Sequence, residues 1–141
     1  MKSKLSAAVE AVAKAGSYLK KQFLKRHDVS WKKDKTVLIG EDIEAEKILC
    51  NTIHTRFPSD SFLTEESDSG QVNDKTWIID PLCGLLSYLR GLETWSISVA
   101  YVENGVYQLG IVYSPLLDYL FTSEKGKGAY LNKKRITPSK T

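Results

Sequence analysis

The sequence is poor in cysteine: Cys50 and Cys83 are its only two, and neither sits in a C-x-x-C pair. Two cysteines cannot build a disulfide framework, so a reducing, cytoplasmic setting is the expectation. No apolar run reaches the ~18 residues that a membrane span needs. The basic start MKSKLSAAVEAVAKAG lacks a continuous apolar stretch, because Glu10 and Lys14 interrupt it, and it does not read as a secretion signal. Excess charge of one sign is small as well, a net +3, and the basic residues fall in separate runs at Lys20-Lys21, Lys32-Lys33 and Lys133-Lys134-Arg135. Runs of that kind are usually solvated faces, and no nucleic-acid-binding signature accompanies them, so no nucleic-acid partner is expected. Internal repeats and low-complexity tracts are absent too.

What is present is one domain's worth of chain, residues 1–141, with enough apolar content to bury a core (42% hydrophobic). Leu5, Val9, Val12, Gly16, Leu19 and Phe23 recur at helical steps, which predicts a first helix over Ser3 to Leu24. A second is expected from Glu41, with Ala45, Leu49, Ile53 and Phe57 on one face and Pro58 closing it. The period then changes to two. Phe62-Leu63 reads as a short strand, and Thr76 to Asp80 as a stronger one, stopped by Pro81. Trp95, Ile97, Val99 and Tyr101 alternate with small residues. Asn104-Gly105 suits a hairpin turn into Tyr107 to Tyr113. Tyr119 to Thr122 and Ala129 to Leu131 add strands around a glycine-containing turn at Lys125 to Gly128. Asp68 to Lys75 reads as a polar loop. The pattern predicts an α+β fold, with two N-terminal helices packed on a mostly antiparallel β-sheet.

Three acidic features stand apart: Asp42 at the head of the second helix, Glu65-Glu66 after a strand, and Asp80 at a strand end. Carboxylates at neighbouring strand ends face one cleft and suit hard cations such as Mg²⁺, which want oxygen ligands. Spacing alone equally allows Asp42 as a helix-start carboxylate and Glu65 and Glu66 as solvated charges. His27 and His54 read as surface residues, Cys50 as a small buried hydrophobe, and Cys83 as a poor nucleophile without a nearby histidine.

The string from Trp77 to Tyr88, WIIDPLCGLLSY, resembles the signature loop of the inositol monophosphatase family, which runs W-I-x-D-P-x-D-G-T. Phe57-Pro58 through Leu63-Thr64-Glu65-Glu66-Ser67 is similar to another family stretch. Ser96 to Ala100, Gly110 to Pro115 and Gly126 to Asn132 follow in the family's order. The resemblance implies a Mg²⁺-dependent phosphatase of inositol or sugar phosphates, in which carboxylates hold cations that bridge a phosphorylated small molecule and activate a water. It implies Glu65 as metal ligand and catalytic residue, and Asp80, Asp42 and the Leu82 carbonyl as further metal ligands. It implies the amides of Gly84 and Leu85 as phosphate contacts.

The same comparison exposes departures. Cys83 replaces the second aspartate of the signature, and sulfur is a soft ligand ill-suited to Mg²⁺. Leu85 replaces the hydroxyl that shares the attacking water, and Leu85, Leu86 and Leu89 form an apolar trio where a polar pocket is expected. Ile39 stands where the family's T-x-x-D helix start has its threonine. No counterpart of the aspartate carried by the family's second half is found. The resemblance therefore implies weakened Mg²⁺ binding and weak or absent hydrolysis. The alternative expectation is a non-enzymatic module that binds a protein partner, a second copy or a second-half chain, with no membrane role.

Overall fold

A computed structural model describes residues 3–65 and 72–140. Helix α1 spans Lys4–Gln22, started by Ser3, whose hydroxyl oxygen accepts the Ser6 N–H at 3.0 Å. It ends two residues before the expected Leu24, which instead has a positive φ of 66°. Its buried face is built of small residues, among them Ala8, Ala11, Ala15 and Gly16. These let the helix lie close to the sheet. A Cβ on Gly16 would sit 2.6 Å from the Tyr113 ring. Helix α2 spans Gly40–Arg56 and buries Ala45, Leu49 and Ile53 against the same sheet.

The sheet runs in the order β3 (Ser61–Thr64), β4 (Lys75–Cys83), β5 (Ser96–Glu103), β6 (Val106–Ser114), β7 (Tyr119–Glu124), β8 (Gly128–Leu131) and β9 (Lys134–Ile136). Among the described residues only β3 and β4 pair in parallel, so the α+β expectation with a mostly antiparallel sheet is borne out. Asn104 and Gly105, at φ 51° and 75°, form the β5–β6 turn that their sequence predicts.

Four features depart from the sequence-based expectations. Strand β4 does not stop before Pro81 but continues to Cys83, with a register shift between Asp80 and Cys83. Proline is tolerated there because the shift leaves its missing N–H without a ladder partner to serve. A small antiparallel hairpin, β1 (Val29–Trp31) with β2 (Val37–Ile39), precedes α2. A five-residue helix, α3 (Leu85–Leu89), follows β4. Lys134 and Arg135 of the basic run open the edge strand β9, where charge discourages further strand pairing. The predicted polar loop lies partly outside the described residues, and its end, Lys75, begins β4.

Alternation divides the sheet. Trp77, Ile79, Ile97, Val99, Tyr101 and Ile111 turn toward α1 and α2 and form the core with them. Ile78, Asp80, Ser98 and Ala100 fall on the opposite face, where Ser98 is level with Val112 and Ala100 with Gly110. No described helix packs on that face, and Val112 and Phe121 remain 41% and 36% exposed. No helix among the described residues is long and apolar enough to cross a membrane.

One polar cluster ties the helices to the sheet. Asp60 is buried, accepts the Trp77 indole N–H at 2.9 Å and pairs with the Lys4 ammonium. That ammonium also lies 4.0 Å from the Phe57 ring centroid and 4.2 Å from that of Tyr101. Removing one partner of such a buried pair leaves the other uncompensated. Asp60→Ala is expected to lower the unfolding free energy by about 3 kcal/mol, read from the urea midpoint at constant slope. A loss below about 1 kcal/mol, the range of an exposed pair, would contradict the cluster's anchoring role.

Candidate functional site

Parallel pairing places Glu65 and Asp80 together. Thr64 is level with Ile79, so the next residues, Glu65 and Asp80, lie side by side where β3 ends and the regular register of β4 breaks. Asp80 points to the uncovered face, half-buried, while Glu65 is 55% exposed at its side chain and meets Lys32 of the β1–β2 hairpin at 3.9 Å. Glu66 lies outside the described residues.

Beyond Asp80 the chain folds back on the carboxylate. Oδ1 accepts the Leu82 N–H at 3.2 Å and Oδ2 accepts the Cys83 S–H at 2.8 Å. Burial, the bond to Asp80 and the nearby charge of Asp80 push the Cys83 thiol up to about 12, against a smaller opposing contribution from Ser96, and Glu65 adds to the rise. Cys83 is therefore a protonated donor at neutral pH. Leu82, expected as a carbonyl ligand, is buried and addresses Asp80 through its N–H.

Gly84 then turns the chain into α3 with φ 86° and ψ 42°. Only glycine takes this conformation without strain, and a Cβ there would also meet the Thr94 carbonyl oxygen at 2.7 Å. Leu85 and Leu89 pack against the core, whereas Leu86 is 56% exposed, so the leucine trio divides between core and solvent. Tyr88 locks α3 in place: its hydroxyl donates to the Leu19 carbonyl at 2.8 Å in the interior.

Asp42 sits in the first turn of α2, only 2% exposed, and its Oδ2 accepts the Ile39 N–H at 3.2 Å. This is half of a capping box. Ile39 has no side-chain oxygen with which to return the second bond. Asp42 thus serves the helix start, the first of the two readings that spacing left open.

His27 corrects the sequence-based expectation of a surface residue. Its side chain is 7% exposed, Nδ1 lies 2.8 Å from Glu41 Oε1, and the ring packs 5.1 Å from that of Tyr88. Glu41 is fourteen positions away, and no local pattern announces the pair. His54 is exposed, as expected, against Phe62. Cys50 is half-buried rather than buried, and its thiol is pushed up to about 12 by burial and by Glu46.

The whole chain, residues 1–141, matches the inositol monophosphatase family. The chain belongs to that family. It is 38% identical over 105 residues to a fructose-1,6-bisphosphatase/inositol-1-monophosphatase of Thermotoga maritima, covering 74% of this chain and 41% of that one. It is 33% identical over 140 residues to inositol monophosphatase 1 of Solanum lycopersicum, covering 96% and 51%. The extragenic suppressor protein suhB of Bartonella henselae superposes with a TM-score of 0.92 at 33% identity, over 97% of this chain and 55% of that one. The chain thus spans about half the length of the relatives it matches.

The family is generally Mg²⁺-dependent, but the residues at this loop do not suit that ion. Among the described residues, no three or more His, Cys, Asp or Glu side chains gather closely enough to hold a metal. Both Asp80 oxygens accept from donors of their own loop, one of them a protonated thiol. At position 85, an apolar side chain is packed on the core.

The raised thiol has a direct chemical consequence. The thiolate is the reacting form, and below its pKa it falls tenfold for each pH unit. Cys83 in the native chain should therefore alkylate with iodoacetamide about a thousandfold more slowly at pH 8 than the same cysteine in denaturant, with its ordinary pKa. Peptide mass spectrometry resolves it from Cys50. Labelling of native Cys83 at the denatured rate would contradict the Asp80–Cys83 bond.

Proposed function

We propose that this chain carries the phosphate-hydrolase scaffold of its family while its altered loop leaves Mg²⁺-dependent hydrolysis of inositol or sugar phosphates weak or absent. The observation that carries this reading is the Asp80–Cys83 contact. An oxygen ligand at position 83 would add charge for a hard cation, whereas the S–H there donates a hydrogen bond to the carboxylate that remains. Leu85 adds a second deficit, since its apolar side chain cannot orient an attacking water. Glu65, beside Asp80 and exposed, is the carboxylate best placed for any residual role as metal ligand or catalytic base. The family resemblance assigns Asp42, Asp80 and the Leu82 carbonyl to the remaining metal ligands and the Gly84 and Leu85 amides to phosphate, and with both Asp80 oxygens engaged by its own loop this set would hold Mg²⁺ weakly. In the family setting Mg²⁺ would supply charge neutralisation and an activated water.

A second reading is favoured by one specific observation. The sheet face opposite the helices is uncovered around Ser98, Ala100, Gly110 and Ser123, whose small side chains leave a shallow cavity of about 310 Å³ rimmed by Val112 and Phe121. An apolar, uncovered face of this kind suits a packing partner. We propose as its occupant a polypeptide equivalent to the portion of the relatives that this chain does not match, making the chain a non-enzymatic interaction module.

Phosphate release from inositol monophosphate, with and without Mg²⁺, tests the first reading. The unaltered chain should match the background of Glu65→Gln, while the double variant Cys83→Asp with Leu85→Thr should do no worse. Metal-dependent turnover by the unaltered chain as fast as that of the double variant, and lost in Glu65→Gln, would sink the reading. Sedimentation of this chain mixed with the unmatched half of the Solanum lycopersicum relative tests the second. A stable heterodimer is expected, and two non-interacting species, or self-association of this chain alone, would count against it.

A further inference from the structure

Each described carboxylate that the family resemblance marks as a metal ligand is served by a donor from this chain. Asp42 accepts from the Ile39 N–H, Glu65 meets the Lys32 ammonium at 3.9 Å, and Asp80 accepts from two groups. The Lys32 contact is partly exposed and weak. The arrangement at Asp80 is different in kind. Its two oxygens are addressed separately, one by a backbone N–H two residues on and the other by a thiol three residues on, so the loop closes around the carboxylate.

Resting on the functional reading above, we infer that the Cys83 S–H, together with the Leu82 N–H, takes the place of a divalent cation as the partner of Asp80, so that the loop from Asp80 to Gly84 is held closed without metal. A hard cation bridging residues 80 and 83 would need an oxygen where Sγ now lies, 2.8 Å from Oδ2. The thiol meets the need of the half-buried carboxylate for a donor. Gly84 and Tyr88 then hold the exit of the loop, the first through its left-handed backbone and the second through its bond to Leu19. Replacing Cys83 with aspartate reverses the arrangement. It removes the donor and sets a second carboxylate against Asp80, a repulsion that a divalent ion would relieve.

Thermal unfolding of the full chain in EDTA and in excess MgCl₂ tests the inference. The unaltered chain should melt at one temperature in both, and so should Cys83→Ser, which keeps a donor. Cys83→Asp should melt about 3–6 °C lower in EDTA and recover in MgCl₂. A rise of similar size for the unaltered chain in MgCl₂, or indifference of Cys83→Asp to the ion, would overturn the inference. If Cys83→Asp does not fold, Mn²⁺ paramagnetic resonance on the unaltered chain decides. A spectrum of free Mn²⁺ is expected, and bound Mn²⁺ displaced by Mg²⁺ would overturn it. Phosphate release measured on the same samples separates the two proposals. Turnover with an ion-insensitive melting temperature defeats the functional reading alone. A melting temperature raised by Mg²⁺ without turnover defeats this one alone.

Discussion

Strand β4 is the constraint on which the other parts of the structure depend. Its first half is the buried centre of the fold: Trp77 and Ile79 face α1 and α2, and β3 and β5 flank it on either side. Its second half is where regular pairing fails, because the register shifts after Asp80 and Pro81 offers no N–H. A rigid ladder thus delivers Asp80 to a fixed place and then releases the chain to fold back on it. The parallel neighbour β3 brings Glu65 to the same end. Had β3 run antiparallel, its C-terminal end would lie at the far end of β4, away from Asp80.

The electrostatics of that strand end follow from local chemistry. A carboxylate half-withdrawn from water needs donors, and at Asp80 they come from the next three residues. The thiol of Cys83 is a weak donor, but burial and the adjacent negative charge hold it protonated, which keeps it a donor. The loop is therefore self-consistent without an ion. Pro81 and the left-handed Gly84 shape the loop, and between them the side chain that reaches Asp80 is a thiol donor.

Much of the fold was legible from sequence because its signals are local. The two long helices announce themselves by a repeated apolar face, and Asn104-Gly105 and Gly126 to Gly128 mark turns by their tolerance of positive φ. Several of the shortest elements were not legible, although β3 and β8, of four residues each, were. The β1–β2 hairpin, α3 and β9 are too short to show a period, and β9 reads as a basic run. Partners distant in sequence were equally hidden: Lys4 finds Asp60 across 56 positions, and His27 finds Glu41 across fourteen. At the candidate site, sequence placed Glu65 and Asp80 at strand ends and marked Cys83 and Leu85 as departures. It could not show that the thiol would bond to Asp80, since that contact depends on how the chain turns after Pro81.

A crystal grown in MnCl₂ and phosphate, with anomalous scattering measured at the manganese edge, tests the central claim most directly. The account predicts no anomalous peak between Glu65 and Asp80, and a Cys83 Sγ still in hydrogen-bond contact with Asp80 Oδ2. An ordered ion ligated by Asp80, with Sγ turned away from the carboxylate, would contradict it.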